Sequence, residues 1–267
     1  MILIIILLGC ILSILSAKII TLTNSNFVAI NTRIDDRSAS EFINSITKIT
    51  DNDIYIYLST GGGRIKSGED MIQVMETLAD SGKNVMCIAD TAYSMGFIIF
   101  EMCPIRYITK NSKIMQHQMT LGVTGQLERV KNYINFVSTI ENVHTERQAD
   151  RLQLTVDEFN QKTNNDWWLY GEDIIKTNAA DEFVSVLCEP HLVDEYYNTT
   201  VRSIFGNVII EFSKCPLIKN PKKIYYPYIY YKSMDKSMDE NITEEQIYNM
   251  IKGYDIIESA SRYSYII

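Results

Sequence analysis

Histidine is scarce in this chain of 267 residues, which carries only His117, His144 and His191. Three are too few for a histidine-built metal cluster, and Cys10, Cys87, Cys103, Cys188 and Cys215 show none of the paired spacings that hold zinc. No metal and no cofactor is expected. Positive charge is also in short supply: 25 Lys and Arg face 33 Asp and Glu, giving a net charge of -8 and a pI near 5.0. Phosphate backbones are bound through a basic face, so nucleic acid is excluded as a partner.

Charged side chains are missing altogether from residues 1–17, MILIIILLGCILSILSA, and first appear at Lys18. A run of this length lies at the short end of what spans a membrane, and the small pair Ser16 and Ala17 resembles the end of a signal peptide. Residues 1–20 are therefore expected to be a signal peptide or membrane anchor, and the chain to be secretory or membrane-associated. A basic start is absent and Leu15 is a poor residue near the presumed cut, so cleavage stays open. Cys87 sits in the apolar run 85–88 and is expected to be a buried free thiol. The pairing of the other cysteines is not legible.

Against these absences stands one informative stretch, Ala92-Tyr93-Ser94-Met95-Gly96, followed after a spacer by Ile114-Met115-Gln116-His117-Gln118. A serine hydroxyl becomes a nucleophile only beside a base that takes its proton, and histidine is the usual base. His144 lies in a charged run and His191 follows Pro190, so both read as surface residues. Upstream, the apolar run 54–58 enters Thr60-Gly61-Gly62-Gly63 and then a helical pattern through Met71, Ile72, Val74, Met75 and Leu78. Glycines at a strand-to-helix turn permit positive φ and close backbone approach, and their N–H groups can face an anion. An oxyanion site for acyl transfer needs such donors.

Taken in order, these segments resemble the Clp protease proteolytic subunit (ClpP) and its wider family, which includes signal peptide peptidases of the SppA type. Ile34-Asp35-Asp36 is similar to the family's acidic turn, and Thr60-Gly61-Gly62-Gly63 stands where the family has Ser-Pro-Gly-Gly. Ala92-Tyr93-Ser94-Met95-Gly96 resembles its Ala-Ser-Met-Gly nucleophile motif, and Met115-Gln116-His117-Gln118 its Met-Ile-His-Gln segment. The resemblance implies an α/β fold, the ClpP/crotonase-like ββα superhelix with a long handle helix, over residues 22–188. It also implies Ser94 as nucleophile, His117 as base, and backbone N–H groups of Gly62 or Gly63 and of Met95 as oxyanion donors. The third catalytic residue departs from the pattern: Lys162 falls at the family's aspartate, with Asn164 and Asp166 close enough to substitute.

The periodicity agrees with that fold class. Short apolar runs at 54–58, 85–89, 105–109 and 114–117 alternate with helical stretches at 70–79 and 94–102, which argues a mostly parallel sheet with covering helices. Residues 126–154 carry a helical period through Val130, Ile134, Val137, Ile140 and Val143. In the family this helix interlocks subunits, which implies a homo-oligomer; the same side chains could equally pack on the chain's own sheet. Residues 189–267 form a C-terminal extension of unknown fold. It holds an apolar patch at 208–212, a tyrosine-rich run at 224–231, a tandem Lys-Ser-Met-Asp and a helix opening at Thr243.

Two functions are expected from different classes. One is a serine endopeptidase acting on peptides or unfolded proteins; a secreted chain would not meet the ATP-driven unfoldase that feeds ClpP. The other is a catalytically weak or inactive oligomeric binding scaffold, which Lys162 would suit. A crotonase-like acyl-CoA enzyme shares the oxyanion logic but does not use this Ser-His pair.

Overall fold

Between residues 27 and 117 the strand-helix alternation is realised as consecutive parallel crossovers. The computed structural model describes residues 18–203 and 206–225, which fall into two compact units dividing after Leu187. The first contains β1 (Lys18–Leu22), β2 (Phe27–Ile30), α1 (Asp36–Ile46), β3 (Asp53–Thr60), α2 (Ile65–Asp80), β4 (Asn84–Tyr93) and α3 (Met95–Glu101). It continues with β5 (Ile105–Gln116), α4 (Leu127–Arg151), α5 (Val156–Thr163), β6 (Trp167–Tyr170), α6 (Glu172–Lys176) and β7 (Glu182–Cys188). The sheet runs β1-β7-β5-β4-β3-β2, and β6 pairs with β5. Along this order the pairs β2–β3, β3–β4, β4–β5 and β5–β7 are parallel, whereas β6 is antiparallel to β5.

Burial explains why these runs are apolar without alternation. Helices cover the faces of a parallel sheet, so both sides of a central strand leave water. Val85, Met86, Cys87, Ile88 and Ala89 of β4 are all buried, as are Ile54, Ile56, Tyr57 and Leu58 of β3. Their core continues into Phe97, Ile99 and Phe100 of α3 and Met71, Ile72 and Met75 of α2. The runs at 105–109 and 114–117, read as separate strands, are one strand ending at Gln116. An irregularity in the β4 pairing between Ala89 and Thr91 absorbs the polar middle, where Ser112 Oγ donates to the Ala89 carbonyl at 2.5 Å.

The acidic turn starts α1 and grips the glycine-rich turn. Asp35 caps the helix, accepting from the Arg37 and Ser38 N–H groups, while Ser38 Oγ accepts from Asp35 N–H. Such a cap contributes about 1 kcal/mol. Asp36 reaches across to Arg64 Nη1 and Ser67 Oγ, both at 2.7 Å.

Two expectations about buried groups are corrected. Cys87 is not a free thiol: it is bonded to Cys103, joining β4 to the turn after α3. Sixteen positions of sequence hid a spatial neighbour, because the chain folds back through α3. His144 is not a surface residue either; it is 6 % exposed, with Nε2 3.0 Å from Glu69 Oε1. The charged run around it lies on a helix, and only one face of that run meets solvent.

Behind α3, Arg106 (β5) bonds buried Glu101 at 2.5 Å and Asp181 at 2.7 Å. Burial outweighs the attraction of Arg106 and pushes the Glu101 carboxyl up to about 8, leaving Asp181 as the ionised partner.

Helix α4 buries only His144, Gln148 and Ala149, all in its last third. None of Val130, Ile134, Val137, Ile140 and Val143 is buried, and Leu127, Tyr133, Ile134 and Phe136 are exposed. The helical period therefore does not serve the chain's own sheet.

The second unit has α7 (Pro190–Asp194) and a three-stranded antiparallel sheet of β8 (Tyr196–Ser203), β9 (Gly206–Ser213) and β10 (Lys223–Tyr225). Val208, Ile210 and Ile224 form its small core, with Phe212 against them, and Cys188 is bonded to Cys215. The expected leader loses Lys18–Ile20 to β1, where Ile20 is buried. Residues 1–17, the tyrosines beyond Tyr225, the tandem and the helix opening at Thr243 lie outside the described residues.

Candidate active site

Three adjacent parallel strands end side by side, and each delivers one part of the site. Strand β3 runs into Gly61-Gly62-Gly63, β4 into Ser94, and β5 into His117. Thr60 pairs with Ala92, and Tyr93 with Met115, so Ser94 and His117 leave the same carboxyl edge of the sheet. Open α/β sheets bind ligands at that edge.

Ser94 occupies a turn that few serines adopt. Its φ of 54° and ψ of -119° lie outside the regions open to most L-residues, and holding such a conformation costs about 1–3 kcal/mol. The strand-to-helix reversal is fixed from both sides: Ser94 N–H donates to the Met115 carbonyl at 2.8 Å, and the Ser94 carbonyl accepts from Phe97 and Ile98. The Cys87–Cys103 bond clamps the same reversal, with Ser94 between its two ends.

Gly62 is packed onto this turn. Its φ is +90°, and a Cβ there would lie 2.5 Å from the Tyr93 carbonyl oxygen, 2.8 Å from Ser94 Cβ and 3.0 Å from Met95 N. Gly63 is held against β2's exit: Ile34 N–H donates to Gly62 O, and Arg64 N–H to Ile34 O, both at 2.8 Å. The Gly62 N–H is already engaged, donating to Thr60 Oγ1 at 3.1 Å, and Thr60 Oγ1 donates to Thr32 O at 2.6 Å. Among the described residues, neither the Gly63 nor the Met95 N–H donates to a protein acceptor. Met95 is the first residue of α3, where the helix itself leaves N–H groups without partners.

The three candidates for the third position are distributed differently. Lys162 is exposed on α5, with Nζ 5.0 Å from the Trp167 ring centroid. Asn164 is exposed, and its Oδ1 accepts from Gln118 Nε2 at 2.8 Å. Asp166 is half-buried at the entry to β6 and has no ion pair with a described residue. The β5–β6 ladder ends with Gln116 opposite Trp167. His117 and Asp166 each lie one residue beyond the last pair of that ladder.

Aromatic rings line the flank. Trp168 meets Tyr93 edge-on at 5.0 Å, and Trp167 lies between Phe97 and Phe159. The sequence reading did not single out Thr60 or the role of β6. Thr60 directly precedes the glycines and was a visible signal; the β6 register has no local sequence signature.

Together these features define an α/β protein with a strained serine turn beside a glycine-rich loop. The sequence model of the Clp protease family matches residues 15–185, and the chain belongs to that family. It is similar to the ATP-dependent Clp protease proteolytic subunit 2 of Pseudomonas aeruginosa, being 19 % identical over 156 residues, 57 % of this chain and 77 % of that protein. Membership supports a peptidase function in general, in a family whose members form oligomers and cleave protein substrates. Among the described residues no helix is long and apolar enough to cross a membrane.

Proposed function

We propose that this chain is a serine endopeptidase in which Ser94 attacks the substrate carbonyl and His117 takes the hydroxyl proton, then returns it to the leaving amine. The Gly63 and Met95 N–H groups hold the oxyanion; Gly62 contributes by letting the loop approach Ser94. Asp166 orients His117 and stabilises the imidazolium formed in the step, as a third residue does in a triad. The observation that carries this reading is the strained Ser94 turn with Gly62 packed on it and two uncommitted N–H groups beside it. A packing role alone gives no reason for a serine to hold positive φ there.

The exposed apolar residues on the first two-thirds of α4 support a homo-oligomer assembled through that helix. Two disulfides support an oxidising compartment, in keeping with the apolar residues 1–17 as a secretory leader or anchor. An ATP-driven unfoldase has no place there, so the substrate would be a peptide or an already unfolded protein.

The test is labelling by a fluorophosphonate probe with peptide mapping. Wild-type protein takes one label at Ser94, and Ser94→Ala and His117→Ala lose both labelling and peptide cleavage. Correctly folded wild-type protein that takes no label sinks the reading. Lys162 at the family's aspartate position favours the second reading, a non-catalytic binding scaffold, in which peptide binding survives Ser94→Ala unchanged.

A further inference from the structure

His117 is the first residue after β5, and its N–H, which by strand alternation faces the β4 side where Met115 bonds Ser94, lies past the end of β4 at Tyr93. The preceding side chain takes it instead: Gln116 Oε1 accepts from His117 N–H at 3.2 Å. Gln116 is 4 % exposed, and its other end donates from Nε2 to Gln148 Oε1 on α4 at 2.5 Å. Gln148, 2 % exposed, donates in turn from Nε2 to the His144 carbonyl one helical turn earlier, at 2.9 Å. His144 closes the chain through Nε2, 3.0 Å from Glu69 Oε1 on α2.

Two buried carboxamides in series are costly unless each polar atom is satisfied, and a satisfied buried network fixes its members' orientation. Apolar side chains would fill this space at lower risk. Every amide atom here is used along one line that ends on the backbone of the proposed base.

We infer that Gln116 and Gln148 are positioning residues for His117, tying its main chain to α4 so that the imidazole keeps one approach to Ser94. The catalytic consequence rests on the serine-peptidase reading; the hold on His117 does not. Removing the hold leaves the Ser94 turn and the oxyanion donors intact, so it lowers kcat and spares KM. A proton transfer is sensitive to displacements well below 1 Å.

The decisive protein is full-length Gln116→Ile/Gln148→Leu, in which both amides go together and neither is stranded without a partner. Gln148→Leu alone strands Gln116 Nε2 and lowers the melting temperature; the double variant recovers it. Amide hydrogen exchange at His117 reads the hold without any chemistry and is expected to quicken at least about tenfold in the double variant. Fluorophosphonate labelling and kcat fall about tenfold or more, with KM within twofold. Unchanged exchange at His117, or wild-type labelling in the well-folded double variant, overturns the inference. If folded wild-type protein takes no label, the peptidase reading fails, and faster His117 exchange in the double variant still upholds the hold.

Discussion

Replacing Gly62 by alanine separates a glycine needed for the nucleophile turn from one that merely links a strand to a helix. The added Cβ would sit 2.5 Å from the Tyr93 carbonyl oxygen and 2.8 Å from Ser94 Cβ, on a residue with φ of +90°. Left-handed backbone costs a non-glycine residue about 1–2 kcal/mol, and overpacking costs about 1–3 kcal/mol. The expected loss is about 2–5 kcal/mol, with a fall in melting temperature of roughly 4–20 °C for a unit of this size. Relief must come from the atoms that crowd the Cβ, which are the Ser94 turn itself. A shift there of several tenths of an ångström costs up to about 100-fold in rate. Gly61→Ala is the internal control: a Cβ there meets nothing within 4 Å, and its φ is not positive. It should change stability by less than about 0.5 kcal/mol and leave labelling intact. Thermal melts and probe-labelling rates on both variants decide the matter. Gly62→Ala labelling at the wild-type rate, with Gly61→Ala equally silent, refutes the close packing of Gly62 on Ser94.

Asp166→Asn should lower kcat by roughly 10²–10⁴-fold with little change in KM, because the orienter's charge stabilises the imidazolium; Asn164→Ala and Lys162→Ala should each stay within about tenfold. Equal losses from Asn164→Ala and Asp166→Asn in the same peptide assay would argue against the register-based assignment. Met95→Leu should label within about threefold of wild type, since only its main chain faces the oxyanion and the volume is conserved. Glu101 binds its proton more tightly folded than unfolded, because its pKa rises from 4.5 to about 8. Between those values the unfolded chain releases the proton first, so wild-type stability falls with rising pH by about 1.4 kcal/mol per unit. Glu101→Gln should remove that slope in denaturant melts run from pH 5 to pH 8; an identical slope in the variant contradicts a protonated Glu101. Cys87→Ala/Cys103→Ala should cost at least about 3 kcal/mol, the entropy of a loop of this length, read by urea denaturation.

How much of this was legible in the sequence depends on the range of the interaction that fixes each part. The turns that carry Ser94, His117 and the glycines to one sheet edge were legible because each is a local event, a strand ending in a turn, and such events leave signatures in neighbouring residues. The covered sheet was legible for the same reason: strands buried on both faces must be apolar without interruption, and 54–58 and 85–89 are. Cys87 and His144 were misread because their partners, Cys103 and Glu69, come from folding back of the chain. A free thiol and a bonded one look alike in an apolar run. The service of Gln116 and Gln148 was illegible on similar grounds, since 32 residues separate them.

The third catalytic position shows why alignment and geometry part company. Counting back from the aromatic pair Trp167-Trp168 sets Lys162 at the family's aspartate, and that count treats the intervening residues as a fixed spacer. Here they are not one: α5 continues through Thr163, so Lys162 is still on the helix and lies over the Trp167 ring. Only 164–166 are free of both helix and strand. The antiparallel ladder then counts from the other side, pairing 113 with 170 and 116 with 167 without a slip. Side chains alternate faces along a strand, so the positions next beyond Gln116 and Trp167 return to the face of Met115 and Trp168. Trp168 touches Tyr93, the residue before Ser94. On the proposed peptidase reading that is the face on which a residue beside His117 is useful, which makes Asp166, the residue before β6, the candidate in place of Lys162.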